Sequence, residues 1–281
     1  MIMINKEILR KIKLVVFDLD GTLVDDDNKI GEETKSLIHE LSLMGVKFSI
    51  ATGRLLSATT DHADGLGIKT PLITLDGTLI KRYPGETSIF ESHLSEKHII
   101  RSMKLADKYL LKIALCHDSA IYYTDENAML PNIMDKFGAK YQKVNSYENY
   151  IPGTLEVVIV GDYHDSVKHV SNKMAFPYTY GVRTVFYKSH GNIYYLEIRK
   201  MGSSKGEGLK KLLRYLKIKE KETAVLGDWY NDKSLFETDA LKIAVANAVP
   251  ELKYMADFVT KRTNNEDGVA EFLKVLYKAK T

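Results

Sequence analysis

A single cysteine in 281 residues leaves no partner for an intrachain disulfide. Cys116 therefore fits a reducing compartment, where its ordinary role is that of a small buried apolar side chain. Long apolar runs are missing too, and none approaches the ~18 residues that span a bilayer. From Met1 to Lys13, charges interrupt the apolar positions, and the apolar stretch of a secretory signal is lacking. Charge of one sign is also scarce: 40 Lys and Arg against 37 Asp and Glu leave a formal +3. That balance exerts no pull towards nucleic acid or membranes, and neither a basic helix nor an aromatic–basic motif occurs. A Gly-rich loop ending in Gly-Lys-Ser/Thr is absent, which removes a Walker-type nucleotide site. What remains is a chain expected in the cytoplasm and long enough to bury its own core. Its 44% hydrophobic and 27% charged residues are ordinary for a globular protein rather than a disordered one.

Hydrophobic periodicity divides the chain into three parts. Lys13-Leu-Val-Val-Phe17 reads as a buried strand running into Asp18. Leu37, Ile38, Leu41 and Met44 place a helix over 32–44, closed by Gly45. A strand over 46–51, a helix over 55–66 and a strand over 71–75 follow. The same alternation returns late in the chain, with helices at 209–216, 233–238, 250–255 and 268–278. Strands at 223–226, 241–245 and 258–260 lie between them. Strands alternating with amphipathic helices predict a parallel sheet covered on both faces. Between about 82 and 190 the texture changes: tyrosine and histidine concentrate there around a strand at 155–160. Residues 93–111 and 165–175 read as helices, and 121–124 reads as part of a sheet. The fold class is thus α/β, a Rossmann-like parallel-sheet core with an inserted α+β domain. The expected boundaries are a core of 1–82 plus 191–281 around an insertion of 83–190.

Four polar clusters sit where chemistry is expected in such a core, at strand ends and helix starts. Asp18-Leu-Asp20-Gly21-Thr-Leu23 follows the first strand and carries two carboxylates two residues apart. Carboxylates at a strand end suit Mg²⁺, a cation that takes oxygen ligands and shares them with substrate phosphates. Ala51-Thr52-Gly53-Arg54 follows the second strand, and its hydroxyl fits either a phosphate contact or a helix cap. Ser203-Ser204-Lys205-Gly206 precedes a helix and offers a cation to balance phosphate charge. Gly227-Asp228-Trp229-Tyr230-Asn231-Asp232 follows a late strand, and its clustered carboxylates need a metal or a lysine to offset their burial.

With these four clusters in this order, the chain resembles the haloacid dehalogenase-like (HAD) phosphohydrolase superfamily, in particular its Cof-type subgroup with a large inserted cap. The likeness spans essentially the whole chain. It implies that Asp18 is a nucleophile forming an aspartyl-phosphate, and that Asp20 is the general acid and then the general base. By the same resemblance, Thr52, Lys205 and the backbone at Gly21 and Gly53 hold the phosphoryl oxygens, with Arg54, Asp76 and Asn231 at the substrate end. Mg²⁺ would be bound by Asp18, Asp20 through its backbone carbonyl, and Asp228. Asp232 would complete the metal site or orient Lys205. The implied activity is hydrolysis of a small phosphorylated metabolite, a sugar phosphate or a phosphorylated cofactor, with the cap setting specificity. A phosphomutase of the same superfamily and a non-catalytic phospho-ligand sensor are the alternatives.

Other segments echo these clusters. Thr74-Leu-Asp76-Gly-Thr-Leu79 mimics the first, but Thr74 stands where the nucleophile would be. Many Cof-type relatives carry Asn-Gly there; Asp76-Gly77 reads here as a polar contact at the substrate mouth. Gly161-Asp-Tyr-His-Asp165 reads as a turn and helix start, and Asp25-Asp-Asp27 as a solvated turn. His117 and Asp118 either face a substrate or serve packing. Trp229 and Tyr230 either wall the site or pack in the core.

Overall fold

The computed structural model describes residues 5–85, 87–124, 140–188 and 192–281. Leu14–Phe17 forms a strand with all four side chains buried, as a strand covered on both faces requires. It pairs in parallel with Lys47–Ile50 on one side and Thr223–Gly227 on the other. Leu241–Ala244 and then Phe258–Val259 complete a five-stranded sheet, again in parallel. The chain leaves the first strand to one side and later returns to the other, which makes a topological switch point there. In sheets of this kind ligands bind outside the carboxyl ends of the strands at that point. The helix Glu32–Leu43 stops where expected, at Met44 and a left-handed Gly45 with φ +86°.

Two core elements differ from expectation. The helix over 55–66 is broken into a 3₁₀ turn, Leu56–Ala58, and a short helix, Thr60–Gly65. Thr59 lies between them and donates its hydroxyl to the Leu55 carbonyl at 2.9 Å. Such a local bond competes with helix continuation. The strand Leu72–Thr74 joins the parallel sheet through an isolated parallel bridge between Ala51 and Ile73 rather than a continuous ladder. Its ladder runs antiparallel to Leu79–Lys81, in a separate three-stranded sheet with Ser88–Glu91.

The chain divides into two compact units, Met1–Thr52 with Thr60–Ile89 and Ser204–Thr281, and Gly53–Thr59 with Phe90–Ser203. The second carries a six-stranded sheet, ordered Val182–Lys188, Tyr194–Lys200, Glu156–Gly161, Lys112–Cys116, Ile121–Tyr123 and Tyr141–Lys143. Only the last pair is parallel. The helices Glu96–Lys108 and His164–Lys173 cover one face, over Leu115, Val157, Ile159, Leu196 and Ile198. The α+β character read from the sequence is present, but the rear boundary moves. Residue 190 itself lies outside the described residues, and Tyr194–Lys200, expected in the core, is paired along its whole length inside the second sheet. The division falls after Ser203 instead.

In that sheet Arg199 is buried between Glu156 and Glu197, 2.5 Å from each, and Tyr187 donates to Glu197 at 2.6 Å. Cys116 pairs in register with Glu156 and is fully buried. Burial, reinforced by the charges of Glu156 and Glu197, pushes its thiol well above the ordinary range. The native protein is therefore expected to leave a thiol-specific disulfide reagent unreacted at pH 8, and to release one equivalent after denaturation. Rapid labelling of the native chain would contradict this burial. His117 is a packing residue: it bonds the Tyr150 carbonyl at 2.8 Å and meets the Tyr122 ring edge-on. His164 opens a helix and Asp165 lies in its first turn, as read from the sequence.

Candidate active site

Asp18 is the first residue beyond the strand Leu14–Phe17, and its N–H donates to the Leu226 carbonyl at 2.9 Å. This bond fixes it beside the end of Thr223–Gly227, from which Asp228 emerges one residue later. The following turn positions the rest. Asp232 accepts the backbone N–H groups of Asp228 and Trp229 on one oxygen, at 3.0 and 3.1 Å. Its other oxygen lies 2.6 Å from the Lys205 ammonium, which also bonds Asp18. Lys205 is the first residue of the helix Lys205–Leu216, whose cap is the hydroxyl of Ser204. That helix begins a turn earlier than its apolar periodicity indicated. Gly208 allows its close approach, since a Cβ there would lie 2.7 Å from a methyl of Ile73.

The sequence thus converges on one buried group: Asp18, Asp228, Asp232 and Lys205 are all below one-tenth exposed. One carboxylate oxygen from each aspartate lies within 4.8 Å of the others. Asp20, two residues beyond Asp18, is exposed where these four are buried. Asp232 already accepts three protein donors, so remaining coordination capacity is concentrated on Asp18 and Asp228. Thr52 is fully buried at the second strand end. Its N–H bonds the Ile73 carbonyl and its carbonyl accepts from Asp76. Gly53 and Arg54 follow in the chain, half-buried, at the start of the segment grouped with the second unit.

Asp76 reaches its place through an unusual backbone. Leu75, Asp76 and Gly77 all have positive φ, +47°, +47° and +86°. Left-handed conformations disfavour residues with a Cβ by roughly 1–2 kcal/mol each. The turn directs Asp76 to Asn231, whose amide donates to it at 3.2 Å, and its charge acts on Lys205. Two contributors escaped sequence reasoning. Thr22 donates its hydroxyl to Asp228 at 2.8 Å, and Asn247 donates to the Gly21 carbonyl at 2.7 Å. Thr22 lies inside the first cluster, whereas Asn247 sits in a loop with no local signal. Gly21, at φ +75°, faces Asp228 so closely that a Cβ would collide with its carboxylate. Trp229 and Tyr230 are not core residues; each is 56% exposed. Asp25 accepts the Lys29 N–H within an exposed turn, as expected of it.

Three carboxylates against one ammonium leave excess negative charge out of water. Burial, and then the charges of Asp232 and Asp228, push Asp18 well above the usual carboxylate range, with Lys205 opposing them. Burial and Asp232 likewise push Asp228 up to about 6, against the Thr22 hydrogen bond. Burial works against the charge of Lys205, but Asp18, Asp232 and Asp76 outweigh it and hold the ammonium above the lysine range. Oxygen-only donors with uncompensated charge fit a hard divalent cation such as Mg²⁺.

No helix among the described residues is long and apolar enough to cross a membrane. The family model for haloacid dehalogenase-like hydrolases matches residues 15–273. Among curated proteins, the Bacillus subtilis phosphatase YwpJ is 27% identical over 94% of this chain and 100% of its own length. The 5-amino-6-(5-phospho-D-ribitylamino)uracil phosphatase YitU of the same organism is 26% identical over 93% and 96%. A haloacid dehalogenase-like hydrolase structure from Bacteroides thetaiotaomicron superposes with a TM-score of 0.85. It covers 94% of this chain and 98% of that one at 23% identity. Sheet order, buried Asp–Lys group and family match agree, and the chain belongs to the haloacid dehalogenase-like hydrolases, as a phosphatase.

Proposed function

We propose that this protein hydrolyses phosphate monoesters of small metabolites with Asp18 as nucleophile. The observation that carries the reading is the buried contact of Lys205 with Asp18 and Asp232 at the switch point of the sheet. In the first step an Asp18 oxygen bonds to phosphorus while the bond to the leaving oxygen breaks, and Asp20 gives that oxygen its proton. In the second, Asp20 takes a proton from water, which attacks the aspartyl-phosphate, frees phosphate and restores Asp18. Lys205 favours the ionised form of Asp18 against its surroundings and faces the transferring oxygens, and Asp232 holds the ammonium in place. Thr52, Gly21 and Gly53 supply further donors to those oxygens, with Arg54, Asp76 and Asn231 at the substrate end. Asp18, Asp228 and the carbonyl of Asp20 would hold Mg²⁺. The cation, when bound, supplies positive charge where the phosphoryl group gathers negative charge.

The inserted α+β unit, read as 83–190 in the sequence and as Phe90–Ser203 by its packing, would be the cap that selects the substrate. A sugar phosphate or a phosphorylated cofactor is the class it would admit, in keeping with the phosphorylated ribityl compound in the name of one relative. The test is phosphate release from a panel of sugar, cofactor and nucleotide monophosphates, with Mg²⁺ and with EDTA. Release that needs Mg²⁺ is expected. Equal release in EDTA would remove the metal from the reading, and silence across the panel would favour a ligand sensor. Turnover that needs a bisphosphate activator would favour a mutase.

A further inference from the structure

Resting on that phosphatase reading, we propose that Trp229 and Tyr230 form an aromatic shelf selecting esters whose leaving group is a flat ring. The two rings meet edge to face at 5.3 Å and 72°. Each is more than half exposed, although large aromatic side chains ordinarily gain most by burial. Core packing therefore does not explain them. Their backbone is fixed more firmly than their exposure would indicate. The Trp229 N–H donates to Asp232, the Asp228 carbonyl accepts from Val249 at 2.8 Å, and the Asp232 N–H returns to the Trp229 carbonyl at 2.9 Å. The rings thus stand on a rigid turn whose first and last residues, Asp228 and Asp232, belong to the buried acidic group.

Recognition by such a pair has a particular chemistry. An aromatic side chain has only two rotatable side-chain torsions, so ordering it against a ligand loses little entropy. Each ring constrains its neighbour, which lowers that loss again. A flat ring stacking on the indole gains more than equal contact area with an aliphatic chain, because the ring quadrupoles interact favourably. A polyol leaving group gains nothing comparable and loses water from its hydroxyls. The shelf therefore discriminates by the leaving group, whereas the buried acidic group acts on the phosphoryl end common to all esters.

The experiment compares phenyl phosphate with glycerol 2-phosphate, which share one reacting group and differ in the ring. The ratio of kcat/KM for the two is measured in wild type, Trp229→Ala, Tyr230→Ala and Trp229→Phe. Each alanine variant is expected to lower the phenyl-to-glycerol ratio about tenfold, the scale of a ring–ring contact, with Trp229→Phe recovering most of it. An unchanged ratio in both alanine variants overturns the proposal. So does a change in oligomeric mass without a change in ratio, since the rings would then cover a second copy. Trp229 is the sole tryptophan, so its fluorescence also reads binding without turnover. Phenyl phosphate is expected to quench it saturably in Asp18→Asn, at lower concentration than glycerol 2-phosphate does. Failure to quench overturns the shelf. Saturable quenching in a protein that hydrolyses neither ester instead defeats the phosphatase reading and retains the shelf.

Discussion

Replacing Asp18 by Asn is expected to abolish phosphate release, by about 10⁴-fold or more, the scale seen when a nucleophile is removed. The same variant is expected to unfold at the same temperature as wild type or a higher one in EDTA at pH 7. The sign follows from the environment of the carboxyl. Burial and two neighbouring aspartates raise its folded pKa, so it favours the folded state while protonated, below its unfolded value. That contribution is lost as pH rises through the folded value. The ionised form of Asp18 is therefore a burden on the metal-free fold, and a neutral amide of equal shape relieves it. Lys205 keeps Asp232 as partner at 2.6 Å, so no isolated charge remains. Thermal melts in EDTA beside a phosphate assay check both halves. Retained turnover would remove Asp18 as nucleophile, and a large drop in melting temperature would show that its charge supports the fold.

The opposite outcome is expected for Lys205→Met, which keeps an unbranched side chain out to Cε and removes the ammonium. Lys205 is fully buried, and without it three buried carboxylates face one another with no cation. Breaking a buried ion pair from one side costs about 3–5 kcal/mol, far more than the loss of an exposed pair. Activity is expected to vanish as well, because Asp18 loses the cation that favours its ionised form and the phosphoryl oxygens lose their donor. The stability loss depends on pH in a definite direction. Without the ammonium the carboxyl pKa values rise further, so the penalty is full above them and shrinks as falling pH supplies protons. Urea unfolding in EDTA at pH 7 and pH 5 should show a difference from wild type that is larger at pH 7. A difference independent of pH would mean that lost packing, not lost charge, dominates.

Much of the core was legible because its signals are local. Leu14–Phe17 is uniformly apolar, Gly45 ends its helix, and Pro250 opens one at the first residue of Pro250–Met255. The acidic and basic residues of the site were legible because each lies at the end of such an element. What escaped depends on contacts between distant segments. Tyr194–Lys200 alternates too little to show which sheet it joins, and only its pairing with Glu156–Gly161 settles that. Leu72–Thr74 reads as one more parallel strand, yet an antiparallel neighbour seven residues later captures its ladder. Asn247 has no motif around it, and its bond to Gly21 spans 226 residues. The exposure of Trp229 and Tyr230 was equally illegible, since aromatic residues in a turn read the same whether buried or open.

The adjacency of Leu14–Phe17 and Thr223–Gly227 in the central sheet also governs the order in which a newly made chain acquires its site. The two strands are separated by the whole inserted unit, whose own sheet pairs segments within Lys112–Lys200. During synthesis that unit is complete before Thr223–Gly227 emerges, so it is positioned to fold first. Until then the first strand has only Lys47–Ile50 beside it, and Asp18 lacks both Lys205 and Asp228. Long-range pairings of this kind form late and slowly. The charges of Asp18, Lys205 and Asp228 are consequently brought out of water at the end of folding, once the segments that carry the last two have been made.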